Sequence, residues 1–291
     1  MRRWPLHTKG MSGLCMLLSF CSALAMADEV SLTMPNGLTA LAEYRIGKAD
    51  KPAVLLLHGF LQTHHFPTVN RLTEELHSEG HTVLAPTLTL GVPNRKQSLA
   101  CEAVHTQTLP DNAAEIKTWL DWLSAQGHGS VVLLGHSTGS MNLLNFLASQ
   151  RHAAVTKLIG ISLVEARLEL DTKGRRALEA DLRRRIARKD TGLVEHQLSF
   201  CKNYRASPAS LLSYLEWTPE RILETARQVQ TPQAYVMGDQ DDRLGRNWIA
   251  RLKQTGQRLY IVRGANHFMD GEHEFDLLDH VLLELRRPPS P

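Results

Sequence analysis

Residues 130–139 read Ser-Val-Val-Leu-Leu-Gly-His-Ser-Thr-Gly, and the fold follows from them. Residues 130–134 are a short apolar run of strand length, as expected of a strand buried on both faces. Gly135-His136-Ser137-Thr138-Gly139 follows without a gap, and Met141, Leu144 and Leu147 then recur at helical spacing. The pentapeptide therefore sits at a strand-to-helix turn. Such a turn exposes the middle hydroxyl, and the flanking glycines let backbone pass close to backbone without a Cβ clash.

Working outward, the same alternation continues. Residues 30–33 and 38–44 read as strands joined at Asn36-Gly37, a strong hairpin signal. Residues 53–57 (AVLLL), entered from Pro52, read as a buried strand, followed by a helix over 69–78 with Leu72 and Leu76 on one face. Residues 82–85 read as a strand stopped by Pro86. The stretch 87–109, with Gly91, Pro93 and Cys101, has no period, and loops of that length are often functional. Asp111 reads as the cap of a helix carrying Glu115 in its first turn and Ile116, Trp119, Leu120 and Leu123 as its stripe. Gly127 and Gly129 end that helix.

Residues 155–163 read as the next strand. From 165 to 227 strand signals vanish and the text becomes helical. Arg175, Arg176, Arg183, Arg184, Arg185 and Arg188 cluster there beside Leu178, Leu182 and Ile186. Strands resume at 234–237 and 258–262, and a helix over 274–285 precedes a Pro-rich tail. There is no internal repeat. Strands alternating with helices predict an α/β architecture: a mostly parallel central sheet flanked by helices, with a helical cap insertion.

Four places carry chemistry. Ser137 is the candidate nucleophile. His58-Gly59-Phe60 follows a buried strand, and the backbone amides of Phe60 and Thr138 are the candidate oxyanion hole; His58 itself reads as structural. Losing one such donor costs about 3 kcal/mol of transition-state stabilisation. Asp239, Asp241 and Asp242 follow the strand ending at Met237. One could orient a histidine, and the others read as a solvated turn, because burying three charges would be costly. Gly264-Ala265-Asn266-His267 follows the strand ending at Val262. Of 14 histidines, His267 is singled out by that context and by chain order, serine then acid then histidine.

Together these points resemble the α/β-hydrolase superfamily, in particular lidded esterase, lipase and peptidase members, over nearly the whole chain after residue 27. The resemblance implies a Gly-x-x-Asp acid, which Gly238-Asp239-Gln240-Asp241 matches, so Asp241 is preferred over Asp239. It also implies a lid over residues 165–228, between a core formed by 28–164 and 229–291. Two departures stand out: Ser140 replaces a second glycine, and the loop 87–109 matches no subfamily pattern.

The first 27 residues read as a leader. Arg2, Arg3 and Lys9 precede an uncharged run over 11–24, and Ala25-Met26-Ala27 is a small-x-small cleavage signal before Asp28. The run is shorter than the roughly 20 apolar residues of a membrane span, and Phe20 is bulky for a lipidated Cys21. The expectation is a signal peptide cleaved after Ala27 and a periplasmic or extracellular product. Cys15 and Cys21 leave with it. Cys101 and Cys201 remain, either as a disulfide or as two free thiols.

Other chemistries are expected to be absent. A formal charge of +3 is too small to argue for nucleic acid. His58, His64 and His65 have no acidic or cysteine partner at usable sequence spacing, so no metal is expected. Without G-x-G-x-x-G, no dinucleotide cofactor is expected, and the chemistry needs none. The cap arginines could meet an anionic membrane surface. Interspersed Glu169, Asp171, Glu179 and Asp181 favour a solvated face instead. The sequence thus predicts a secreted serine hydrolase of a small-molecule carboxylic ester. A peptidase or amidase with the same triad, and a non-catalytic binding protein on the same fold, are the alternatives.

Overall fold

The computed structural model describes Met1 and residues 28–165, 167–245 and 247–288. The leader read from the sequence, apart from Met1, lies outside the described residues. In chain order the first half contains β1 (Asp28–Thr33), β2 (Thr39–Arg45), β3 (Ala53–Leu57), α1 (Pro67–Ser78), β4 (Val83–Thr87), α2 (Leu109–Ala125), β5 (Val131–His136), α3 (Thr138–Ser149) and β6 (Val155–Ile161). Then come α4 (Thr172–Ala187), β7 (Val194–Leu198), β8 (Cys201–Ala206), α5 (Pro208–Leu215) and α6 (Pro219–Gln228). The chain closes with β9 (Gln233–Gly238), α7 (Trp248–Lys253), β10 (Arg258–Val262) and α8 (Glu274–Arg286).

Eight strands form one sheet in the order β1-β2-β4-β3-β5-β6-β9-β10. The β1–β2 and β2–β4 pairs are antiparallel and the rest parallel. Every residue of β3 and β5 is buried, which explains why they read as unbroken apolar runs rather than alternating ones. Their side chains alternate between two cores. Leu55, Leu57 and Leu133 pack with Ile116, Trp119 and Leu120 of α2 and with Leu143 and Leu144 of α3. Val54, Leu56, Val132 and Leu134 pack with Val69, Leu72 and Leu76 of α1 and with Leu277 and Val281 of α8. Each such leucine or valine contributes about 1.5–3 kcal/mol. The mostly parallel sheet flanked by helices is therefore the architecture of the molecule.

Three local expectations change. Pro86 lies inside β4, paired with Ala42, rather than ending the strand. The missing N–H is tolerated because the β3–β4 ladder covers only Val83 and Leu84. The cap of α2 is Thr108 rather than Asp111. Asp111 is the N3 residue of a capping box, its side chain returning to the Thr108 N–H. The segment between β6 and β9 holds three helices but also the antiparallel hairpin β7–β8. Val194-Glu195-His196-Gln197-Leu198 is too polar to read as a strand, and long-range contacts specify it. His105 bridges to Ala206, the His105 N–H donates to Arg205 O at 2.9 Å, and the His105 ring stacks on Tyr204 at 4.3 Å.

Cys101 and Cys201 form a disulfide with their Cα atoms 5.4 Å apart. It ties the irregular loop before α2 to the hairpin, so the loop is stitched to the insertion rather than free. On α4 only Leu182 is buried, and its arginines make surface pairs such as Arg184–Asp181 and Arg183–Glu216. This is the solvated face, and such pairs are worth little each. Closing a loop of 100 residues, the disulfide should contribute about 2–5 kcal/mol. Urea unfolding of Cys101→Ser/Cys201→Ser against the oxidised protein is expected to show a loss in that range.

Candidate active site

Ser137 stands between β5 and α3 with φ 57° and ψ −126°. This region is unfavourable for a residue with a Cβ and costs about 1–3 kcal/mol. Neighbouring groups hold it there. The Ser137 N–H donates to Ile161 O at 2.8 Å, and its carbonyl accepts from the Ser140 N–H at 3.0 Å. The Ser140 hydroxyl lies within hydrogen-bonding reach of Gly135 O (2.7 Å) and Ile161 O (2.9 Å). The departure at Ser140 is thus accommodated, because its hydroxyl meets carbonyls at the neck of the turn. Gly139 has no such latitude: a Cβ there would collide with the carbonyl oxygens of Leu57 and His58. That close approach brings the start of α3 against the loop after β3.

His267 reaches Ser137 from the loop after β10. Its Nε2 is 2.9 Å from Ser137 Oγ, and its Nδ1 is 2.7 Å from Asp241 Oδ2. A carboxylate can only accept, so Nδ1 carries the proton and Nε2 turns its lone pair to the serine hydroxyl. The His267 carbonyl accepts from His136 Nε2 (3.1 Å) and from the Ser162 hydroxyl (2.8 Å). Asp241 is positioned from the end of β9, and its Oδ1 accepts the Arg243 N–H at 2.9 Å. Ser137, Asp241 and His267 are all buried. Asp239 and Asp242 are exposed. Asp239 instead accepts the Gly264 N–H at 2.7 Å, joining the loop after β9 to the loop after β10.

The loop after β3 completes the site. A Cβ on residue 59 would stand 3.2 Å from Ser137 Cβ, so the Gly59–Phe60 peptide borders the serine. Among the described residues neither the Phe60 N–H nor the Thr138 N–H donates to a protein acceptor. His58, read as structural, fixes this peptide. Its Nδ1–H donates to Gly59 O at 2.8 Å, and its Nε2 accepts the Leu88 N–H at 3.1 Å. Because a peptide is planar, holding the Gly59 carbonyl also aims the Phe60 N–H. Burial pushes the His58 pKa down to about 3, keeping the ring neutral so that Nε2 can accept. The sequence did not reveal this role, nor those of His136 and Ser162, since none is recognisable without its partner.

Over Ser137 lies a cleft of about 190 Å3, lined by Val164, Glu165, Arg167, Phe200 and Arg243 among others. The Phe60 ring sits beside Phe200, Tyr204 and Tyr214, with centroids 5.6–5.8 Å apart. The Arg243 guanidinium lies 4.7 Å from the Phe268 ring centre. Burial raises the Glu165 pKa, opposed by Arg175 and Arg167. A larger groove of about 760 Å3, between the end of α3 and the end of α6, is remote from Ser137. The arrangement can remove a proton from a hydroxyl, hold the resulting cation, and receive an anion on two amides.

Burial also lowers the His136 pKa to about 3, with the His267 charge adding to the effect. An unfolded histidine titrates near 6.5, so unfolding takes up protons between the two values. The stability conferred by neutral His58 and His136 is complete above about pH 6.5 and is lost as pH falls toward 3. Each ring should contribute a slope of about 1.4 kcal/mol per pH unit near pH 5. Urea titrations from pH 7 to 4 are expected to give a shallower dependence for His136→Gln, by about one proton.

A sequence model of the Alpha/beta hydrolase family matches residues 54–278. No curated protein sequence matches the chain. Among solved structures, DcsB in complex with a substrate analogue superposes with a TM-score of 0.68 at 13% identity, over 90% of this chain and 99% of that one. GrgF from Penicillium sp. sh18 gives 0.68 at 16% identity, over 91% and 99%. The carboxylesterase CesB from Bacillus subtilis gives 0.57 at 19%, over 90% and 92%. At such identities the likeness to these structures is one of fold. The family match spans most of the chain and agrees with the sheet order and the turn at Ser137, and the protein belongs to the Alpha/beta hydrolase family.

Proposed function

We propose that the protein is a secreted serine hydrolase that cleaves a small carboxylic ester through an acyl-enzyme. The reading is carried by one observation, the continuous chain from Ser137 Oγ through His267 to Asp241, with links of 2.9 and 2.7 Å. His267 Nε2 takes the hydroxyl proton as Ser137 Oγ attacks the ester carbonyl. Asp241 stabilises the imidazolium and holds its tautomer. The carbonyl oxygen becomes an oxyanion held by the Phe60 and Thr138 amides, which are pre-aimed and so cost no reorganisation. Collapse breaks the bond to the alcohol, and the imidazolium returns its proton to that leaving oxygen. Water then attacks the acyl-enzyme with His267 again as base, releasing the acid and restoring Ser137. No cofactor enters the scheme. A cleft of about 190 Å3 favours a short acyl or alcohol group, being smaller than a typical drug-sized site.

Export belongs to the same proposal and is supported by the charge, apolarity and small-x-small pattern of residues 1–27. The disulfide is in keeping with an oxidising compartment. Expressed with its leader in a Gram-negative host, the protein is expected outside the cytoplasm with Asp28 as its first residue by N-terminal sequencing. Retention of Met1 in a cytoplasmic product would refute export.

A fluorophosphonate probe is expected to label the mature protein, and Ser137→Ala and His267→Ala should both abolish labelling. On p-nitrophenyl acetate those changes should lower kcat by at least about 10^4-fold. His58→Ala should lower kcat about 10- to 100-fold with little change in KM, since it disturbs one oxyanion donor rather than ground-state binding. Undiminished labelling of Ser137→Ala would sink the nucleophile assignment. Labelling without turnover of any ester, thioester or aminoacyl amide would favour a binding role, and turnover of amides alone a peptidase.

A further inference from the structure

The adjacent histidines after the oxyanion loop acquire, in three dimensions, the acidic partner that their sequence neighbourhood lacks. Glu43 of β2, His64 and His65 each present a ligand atom, and these atoms lie within 4.8 Å of one another. Among the described residues no hydrogen bond or ion pair joins the Glu43 carboxylate to either imidazole. The three ligand atoms are thus close without a bond between them, and the two imidazole rings pack on each other with centroids 4.0 Å apart. Tetrahedral zinc holds nitrogen and carboxylate oxygen at about 2.0–2.2 Å, which separates ligands by about 3.5 Å, a modest contraction from the observed spread.

We infer that Glu43, His64 and His65 form a binding site for a divalent transition-metal ion, with Zn2+ the best match to two imidazoles and one carboxylate. A second observation supports it. The His64 ring is fixed from its far side, with Nδ1 2.7 Å from Thr87 Oγ1, while the His64 N–H donates to the same oxygen at 3.0 Å. A metal-bound histidine is held in this way, its other ring nitrogen bonded to an outer group that sets orientation and tautomer. Glu43 is held likewise: Arg45 Nε sits 2.5 Å from Oε1 and leaves the second oxygen available. His64 is buried and His65 exposed, which gives an ion a route from solvent and an open position for water.

The surrounding charge is balanced without the ion. Glu29 stands directly across from Glu43 in the β1–β2 ladder, and Lys96 neutralises it at 2.8 Å. Like charges opposite one another in a ladder repel, and here Lys96 and Arg45 already offset that repulsion, so the ion is not needed to hold the strands together. The ion would tie β2 to the segment that follows the Phe60 loop. It would therefore stiffen the segment whose Phe66 packs on Phe268 beside His267, 5.5 Å between ring centroids, without entering the chemistry.

The test is calorimetric titration of ZnCl2 into chelator-stripped mature protein, with Tm recorded with and without the ion. One equivalent is expected to bind with micromolar or tighter affinity and to raise Tm. His65→Ala and Glu43→Gln should each weaken binding by at least about 10-fold, while His280→Ala, at a surface ring stacked on Tyr260, should not. His65→Ala removes an exposed ring and keeps the fold, so it decides the matter even if Glu43→Gln destabilises β2. Millimolar affinity in the wild type, or wild-type affinity in His65→Ala, would overturn the site whatever the protein's hydrolytic activity.

Discussion

Ser137 is held at φ 57° only because the structure around it leaves no alternative. The preceding strand is locked between β3 and β6, the following helix is pressed against the β3 loop, and Ser140 meets the carbonyls at the neck of the turn. Strain of about 1–3 kcal/mol survives when packing over-determines a residue. Relaxing it would swing the hydroxyl away from His267 and pull Gly139 off the Leu57 and His58 carbonyls. The Ser137 hydroxyl and the two neighbouring amides are therefore coupled: the same turn that lifts the serine also sets the Thr138 amide and the neighbouring Phe60 loop.

A second layer of constraint reaches this turn from the other loops. His136 and Ser162 both donate to the His267 carbonyl, so the residues flanking the β5 turn and the end of β6 fix the histidine backbone. Asp239, exposed and apart from the Ser137–His267–Asp241 chain, joins the loop after β9 to the loop after β10 through the Gly264 N–H. His58 orients the Phe60 amide and at the same time captures the start of the loop after β4. These groups work as neutral or accepting partners. Burial keeps His58 and His136 uncharged, which suits the bonds they make and ties the integrity of the site to pH.

The insertion is anchored close to Ser137. Phe60 supplies a backbone amide to the site and a ring to the aromatic cluster of Phe200, Tyr204 and Tyr214. The disulfide and the His105 contacts fasten the same hairpin to the loop before α2. The loop beside Ser137 and the hairpin are thus packed together, and the hairpin is fixed at one edge by a covalent bond.

Residues 130–147 by themselves determined the strand, the turn and the helix, because each depends on local periodicity and on a glycine-flanked turn. The buried strand β3 and the edge strand β10 were legible to the residue for the same reason. Chain order and spacing likewise brought Ser137, Asp241 and His267 forward as a set, and the structure joins them. Tertiary structure alone decided the rest. Pro86 could enter β4 because the β3–β4 ladder stops at Leu84. The β7–β8 hairpin exists through pairing and cross-linking to a distant loop. The supporting roles of His58, His136 and Ser162 exist only where a carbonyl from another segment arrives. Glu43 met His64 and His65 because β2 crosses beside the loop after β3, a proximity that no spacing within the sequence encodes.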